Sequence, residues 1–455
     1  MTLLAAHIND AGITVLDSER ILYREPGFAL LEENRLVTGS EAFAHARLNP
    51  RRIQNRFWMD LGTEPLPDRR FRHLSAADLV SRQLEDIWRR ISHAGDSLLI
   101  AVPAYISTDK LALLLGIASE IGVPVAGMVD AAVAATRREY RAAVPVHVDL
   151  GLHVTTLTRL AQPGRVQVER QSVVDASGLL ALRDAWLRVI ADAFVRQSRF
   201  DPLHTAATEQ LLQDRLTGWL AQAASGDTVQ LEVEYRNITH KAEIESISLI
   251  SAAAPVYQRI VGQLRAVYRA EETPAIQLTD RAARMPGLAE ALKARVGGEV
   301  FLLEPGATSR GLLARCGDMQ SASGGVSLVR QLPWDHAALE LSRTDEAAVA
   351  GQPTHLLLGN RAYAIGAQPL TLGTQRLDGE RSIDLGGDMP GVSRRHCSVQ
   401  QQNGQCVVHD HSRYGTFLNG HPIDGSAVLQ VGDLIRLGSP GYELRMILLD
   451  QADGA

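Results

Sequence analysis

Glycines at 415, 420, 425, 432 and 438 cut the last part of this chain into short runs, several of which alternate apolar and polar residues, as in Val431-Gly432-Asp433-Leu434-Ile435-Arg436-Leu437. Side chains at i and i+2 share one face of a strand. Such runs, punctuated by residues that accept tight turns, therefore predict hairpins closing on one another and exclude a helical bundle for this region. Within it, Gly391-Val392-Ser393-Arg394-Arg395-His396-Cys397 sets a hydroxyl beside two guanidinium groups, and Tyr414-Gly415-Thr416-Phe417-Leu418-Asn419-Gly420 reads as a tight loop between strands. Ser393 can donate one hydrogen bond to a phosphate oxygen, while Arg394 or Arg395 offers a planar fork of N–H donors. That combination suits a phosphorylated side chain and predicts that this end of the chain holds a partner.

From about Thr354 to Asp450 the pieces fall in an order that resembles a forkhead-associated (FHA) domain. They are an apolar strand ending in Leu372-Gly373, the Ser393-x-x-His396 turn, Val407-Val408 leading to Asp410, the Gly415 to Gly420 loop, and Leu429-x-x-Gly432-Asp433-x-Ile435-x-Leu437-Gly438. The resemblance implies a small all-β sandwich whose loops at one end read phosphothreonine peptides. It also implies that Ser393 and Arg394 contact phosphate, that Arg395, Arg413, Thr416 and Asn419 shape the groove, and that His396 is structural, bracing the turn from inside.

Two positions depart from that family's pattern. Thr374 follows Gly373 where the family usually has an arginine, and Tyr414, preceded by Arg413, stands where it usually has an asparagine. A hydrogen bond to a charged group is worth about 1.5–3 kcal/mol, so losing both contacts lowers peptide affinity by roughly two orders of magnitude or more unless Arg376, Arg394, Arg395 or Arg413 compensates. Two readings stay open: phosphothreonine recognition, and a retained scaffold that docks a protein surface without phosphate.

His396, Cys397, Cys406, His409 and His411 contain zinc's preferred ligand types. Cys397 and Cys406 lie in runs that read as neighbouring strands, with no Cys-x-x-Cys knuckle, so no metal is expected and the cysteines are read as small apolar core groups.

The larger part of the chain alternates strands with helices and so reads as α/β. Ser97 to Pro103 reads as a buried strand, Thr108 as the cap of a helix to about Ile121, Val123 to Val129 as a strand, and Asp130 as the start of a helix. Val144 to Gly151 leads into a hairpin turning at Gln162-Pro163-Gly164. Helices over about Ser177 to Gln197 and His204 to Gln222 follow, then a strand pair around Val229 to Tyr235 and Ile238 to Ile244, and a helix to about Tyr268.

From about Leu3 to Cys316 that order resembles the ATPase domain of the DnaK-type heat-shock chaperones, a member of the actin-like fold. The resemblance rests on Ala101-Val102-Pro103-Ala104-Tyr105, Asp130-Ala131-Ala132-Val133-Ala134-Ala135, Asp149-Leu150-Gly151, Arg284-Met285-Pro286 and Pro305 to Ala314. It implies nucleotide-binding positions at Asp149, Gly151 and Arg284, and for an active enzyme a magnesium and water site around Asp10, Asp130 and Asp149.

The phosphate loops do not follow the family. Loops that wrap phosphate with main-chain N–H groups need glycine for close approach. Here the first reads His7-Ile8-Asn9-Asp10-Ala11-Gly12-Ile13, the second continues Gly151 with Leu152-His153-Val154, and the glycine pair of the third falls on Asp280 and Arg281. The expectation is a degenerate, pseudo-ATPase body with no cofactor. The alternative is an ATP- and magnesium-dependent, chaperone-like switch using Asp10, Asp130 and Asp149. Without catalysis those aspartates are helix caps and strand ends, Asp130 suiting an N-cap.

The predicted organisation is multidomain: an actin-like body over 1–316, a linker over 317–353, an FHA sandwich over 354–450 and a tail over 451–455. Val326 to Trp334 alternates apolar and polar residues and is read either as a strand added to the body or as a hinge, and Ala337 to Gln352 as a solvated connector. The 455 residues carry 46 basic and 52 acidic side chains, a net charge of −6, which gives no electrostatic case for a nucleic-acid partner. No apolar run reaches the ~18 residues that span a bilayer. The first residues turn polar without a basic start, and three scattered cysteines make no disulfide framework, so the expected location is the cytoplasm. The function expected of this organisation is that of a scaffold or regulatory adaptor binding a protein partner.

Overall fold

One strand arrangement occurs twice within residues 3–302. Leu3–His7, Ile13–Leu16 and Ile21–Glu25 form an antiparallel meander, and Ser97–Val102 and then Val125–Asp130 add in parallel beside Leu3–His7. Val144–Leu150, Thr155–Ala161 and Val166–Val174 form a second meander, with Pro274–Leu278 and Glu299–Leu302 added in parallel beside Val144–Leu150. Parallel neighbours need a crossover, and helices Thr108–Glu120 and Leu288–Val296 supply it at the corresponding places. Ser97–Val102 is buried along its whole length, as its unbroken apolar run requires of a strand covered on both faces.

This computed structural model describes residues 2–18, 20–33, 35–140, 142–319, 326–335, 352–358, 361–375, 381–385, 391–402, 404–419, 421–438 and 441–447. The chain divides into two units, one of Met1–Arg137 with Ala143–Asp335, the other of Arg138–Ala142 with His336–Ala455.

In the first unit the elements read from sequence appear with small shifts. The two long helices run Leu179–Ser198 and Ala206–Ser225, the strand pair is Thr228–Tyr235 with Ile238–Glu245, and the next helix is Ser246–Arg265. Thr108 is the first helical residue rather than the cap. That position belongs to Ser107, whose side chain makes no capping bond. Leu328–Val329 pairs in parallel with Val125–Asp130, and Gln331–Leu332 pairs antiparallel with Val166–Val174. Of the two arrangements open for this stretch, the added strand is the one adopted. Of the stretch read as a connector, Ala337 to Gln352, residues 337–351 lie outside the described residues.

The second unit is built of strands in two layers. A six-stranded sheet holds His355–Leu358, Arg361–Ala364, Thr416–Leu418, His421–Pro422, Leu434–Gly438 and Gly441–Ile447; a five-stranded sheet holds Leu370–Gly373, Ser382–Asp384, Cys397–Gln402, Gln405–Asp410 and Ser426–Leu429. Leu372, Val399, Val408, Ile435, Leu437 and Leu444 are fully buried in one core that also takes in Cys397 and Cys406. The core draws on alternate residues of both sheets, the packing of a β-sandwich. The Tyr414 to Gly420 segment is not wholly loop: Thr416–Leu418 pairs antiparallel with Leu434–Gly438. Positive φ at Gly415 and Asn419 bounds this three-residue strand on both sides, which hides it in a sequence that otherwise signals turns.

Candidate functional site

The end of the Leu370–Gly373 strand, the turn through Ser393 and the loop through Arg413 converge in the second unit. A Cβ on Gly373 would sit 2.0 Å from the Arg394 carbonyl oxygen and 3.0 Å from that of Ser393, so only glycine lets the Ser393–Arg394 main chain cross this strand end. The approach is fixed by two main-chain bonds, His396 N–H to Leu372 O at 2.8 Å and Thr374 N–H to Ser393 O at 3.2 Å. Thr374 thus supplies its amide to the turn.

His396 is fully buried and ties the two loops together. Its Nδ1 accepts the Ser393 N–H at 3.0 Å, which leaves Nε2–H to donate to the Gly415 carbonyl at 3.2 Å. Burial lowers its pKa, so the ring is held neutral, as this donor and acceptor pattern requires. The Ser393 hydroxyl accepts the Arg413 N–H at 3.1 Å and leaves its own O–H to give.

Asp410, whose part in the loop was not read from sequence, organises the other side. Its carboxylate accepts the Ser412 N–H at 2.9 Å, the Thr416 hydroxyl at 2.8 Å and the Thr416 N–H at 3.3 Å. Burial pushes its pKa up, yet these hydrogen bonds outweigh burial and the net shift is downward. Thr416 is fully buried with its hydroxyl committed to Asp410, so its contribution is to loop shape. Asn419 is exposed, but its amide donates to Asp433 at 2.7 Å and its carbonyl accepts the Leu434 N–H at 2.9 Å, fixing the far end of the loop.

Arg394, Arg395 and Arg413 are exposed, and none has a carboxylate within ion-pair distance among the described residues. The local potential registers on His411, whose pKa is lowered first by burial and then by the charges of Arg395 and His409. Tyr414 stands beside them half exposed. Arg376 lies outside the described residues. A hydroxyl donor and three guanidinium groups without ion pairs among the described residues lie on one pair of loops, donor types whose chemistry suits an oxyanion. His396, Cys397, Cys406, His409 and His411 do not gather into a metal site: among the described residues no three metal-ligating groups cluster. Both cysteine thiols are buried with raised pKa, Cys406 to about 11.

Residues 371–438 are an FHA domain. The match takes in Gly373, the Ser393 turn, His396, Asp410 and the Thr416–Leu418 strand, and FHA domains are protein-interaction modules that read phosphorylated motifs. No curated protein matches the chain.

The aspartates singled out in the first unit divide into two groups. Asp10 and Asp149 share one buried cluster: Asn9 Nδ2 donates to Asp149 at 2.8 Å, Thr279 Oγ1 donates to Asp149 at 3.0 Å, and His7 Nε2 lies 3.2 Å from it. Burial pushes the Asp149 pKa up, but His7 and then His147 and Arg281 hold it below the usual carboxylate range. Asp130 caps helix Ala131–Ala135, accepting N–H groups from Ala132 at 2.9 Å and Val133 at 3.4 Å, while its other oxygen accepts the Gln171 amide at 2.6 Å. The carbonyls at the other end of that helix are met by the buried Arg315, which donates to Val133 and Thr136 at 3.1 Å, a partner the sequence did not disclose.

The loops around Asp10 are hydrogen-bonded to one another. The Leu152 N–H donates to Asp10 at 2.8 Å, and a Cβ on Gly151 would sit 2.9 Å from the same carboxylate oxygen. Arg281 donates to Gly12 O at 3.1 Å and Leu150 O at 3.3 Å, bridging the first and second loops. Asp280 pairs with Arg284 at 2.7 Å and Arg24 at 3.6 Å. The hollow beside Asp149, Thr279 and Thr308 measures about 20 Å³, which accommodates about one water molecule.

Asp10 Oδ2 is buried without a partner, and burial raises its pKa to about 6. The folded state thus binds this proton more tightly than the unfolded one. The sign follows: the carboxyl is tolerated below its ordinary pKa of 3.8, and stability falls as pH rises through about 6. Asp10→Asn should therefore raise the thermal stability of the first unit at pH 8 by about 1–2 kcal/mol and leave it near the parent's at pH 4, measured by calorimetry at both pH values.

Proposed function

We propose that this protein is a cytoplasmic scaffold or regulatory adaptor. Its FHA domain docks a protein partner phosphorylated on threonine, while an actin-like body over 1–316 engages a second partner or another copy of the chain. The observation that supports the first part is the Ser393 main chain held by His396 and its hydroxyl held by the Arg413 N–H, beside three exposed arginines without acid partners among the described residues. Ser393 and Arg394 contact phosphate; Arg395 and Arg413 add charge where the family's arginine and asparagine are replaced by Thr374 and Tyr414. In Ser393→Ala, affinity for phosphothreonine peptides should drop about tenfold in fluorescence polarisation with no change for unphosphorylated ones, since a charged hydrogen bond of about 1.5 kcal/mol is lost. An unchanged phosphopeptide affinity would remove Ser393 from the site.

The actin-like reading of the body is supported by the repeated strand order, and its pseudo-ATPase character by the internal closure of the loops around Asp10, Gly12 and Gly151. The shared cluster of Asp10 and Asp149 favours the second reading, an ATP-driven switch. Calorimetric titration with magnesium and ATP separates them: no heat supports the adaptor, and saturable binding supports the switch.

A further inference from the structure

A phosphate accounts for only part of the positive charge on the Ser393 and Arg413 loops. A phosphothreonine brings about two negative charges, and Ser393 with Arg394 is assigned to it. Arg395 and Arg413 remain. Both are exposed, and neither has a carboxylate within ion-pair distance among the described residues. Arginines of the first unit are commonly paired: Arg47 with Asp184 and Glu209, Arg82 with Asp86, and Arg159 with Glu272.

The other side chains of these loops are spent on the fold. Asp410 accepts from Ser412 and Thr416, and Asp433 accepts the Asn419 amide and the Gln430 N–H, each at 2.7 Å, so both acids face donors of their own loops and neither pairs with an arginine. The neutral groups are committed as well. The Thr416 hydroxyl is held by Asp410, the Ser412 hydroxyl accepts the Gly415 N–H at 2.7 Å, and both ends of the Asn419 amide are bonded. The cations are spread along the loops rather than gathered at the Ser393 hydroxyl: Arg413 meets that hydroxyl through its main-chain N–H, and the charge of Arg395 is felt by His411, whose Nε2 lies 2.9 Å from Ser398 Oγ. What remains for reading residues beside a phosphothreonine is chiefly positive charge, with the half-exposed Tyr414 ring next to it.

We infer that the ligand of this FHA domain is a phosphothreonine flanked by acidic residues, whose carboxylates are met by Arg395 and Arg413. The inference rests on the phosphothreonine reading and adds a second determinant to it. Such a ligand is the product of a kinase that phosphorylates threonine among acids. Exposed ion pairs are weak singly, each worth up to about fivefold in affinity, and they are screened by salt.

Fluorescence polarisation of the full chain with phosphothreonine peptides of one length, flanked by Glu, Gln or Lys and each made with and without phosphate, tests this. The Glu-flanked phosphopeptide should bind about tenfold more tightly than the Gln-flanked one and the Lys-flanked one least. In about 1 M salt, where the screening length falls to about 3 Å, the Glu-to-Gln ratio should shrink to about twofold. Arg395→Gln with Arg413→Gln should shrink it likewise, whereas Arg395→Lys with Arg413→Lys should keep it, because charge rather than the guanidinium fork reads the flanks. Equal affinity for the Glu- and Gln-flanked phosphopeptides overturns the inference and leaves the phosphothreonine reading standing. Equal affinity with and without phosphate, or no binding of any peptide, overturns both. The flank comparison uses the unaltered protein and decides the matter even where a variant does not fold.

Discussion

Gly373→Ala should lower the melting temperature of the FHA domain by roughly 10 °C, because the added methyl has nowhere to go. Its Cβ would meet the Arg394 carbonyl oxygen at 2.0 Å and the carbonyl carbon at 2.6 Å. Both atoms are main chain, held by the bonds from His396 to Leu372 and from Thr374 to Ser393, so no rotamer change relieves the overlap. Overpacking of this kind costs about 1–3 kcal/mol, and in a domain of this size each kcal/mol shifts the transition by about 4–8 °C. Gly366→Ala is the matched control: its Cβ would meet only the end of the Arg381 side chain at 3.6 Å, and its transition should stay within about 2 °C of the parent's. Differential scanning calorimetry of the full chain reads both. Equal effects would mean that the Ser393 turn does not press on the strand end.

His396→Ala should cost more, about 2–4 kcal/mol. The ring fills a fully buried space and is the partner of both the Ser393 N–H and the Gly415 carbonyl, so its removal leaves a cavity and two unpaired main-chain groups. Binding should fall with stability, since the same ring holds Ser393 in place. A pH signature accompanies it. The folded-state pKa is lowered from 6.5, so the unfolded state binds the proton more tightly; the stabilisation is complete above 6.5 and is lost as pH falls below it. His396→Gln should flatten that dependence between pH 7 and 5, and a variant that kept the parent's pH profile would exclude His396 as its source.

How much of this was legible in the sequence depends on the distance between the residues that meet. The sandwich strands were legible because glycines mark their ends and period-2 patterning marks their faces, and Asp130 because capping acts within three residues. Gly373 was recognisable as a strand end, but the reason it must be glycine comes from the Arg394 carbonyl brought over it by the fold. Asp410 looked like any strand-end acid until Ser412 and Thr416 turned their donors toward it. Thr416 and Asn419 were named for a groove, and the structure commits their polar groups to Asp410 and to Asp433 and Leu434. In the first unit, the bulky and acidic residues of the loops were readable at Leu152 and Asp280. The closure by Arg281 was not, because its partners lie 131 and 269 residues away in the chain.

We propose that the Ser393 and Arg413 loops recognise phosphate on threonine. A degenerate pool of fluorescent phosphothreonine peptides, titrated with the full chain beside the same pool carrying unmodified threonine, tests it most directly. The phosphorylated pool should bind at least about tenfold more tightly, with free phosphate at high concentration competing for the difference. Equal affinity for the two pools would contradict the claim and leave an FHA domain that docks protein without reading phosphate.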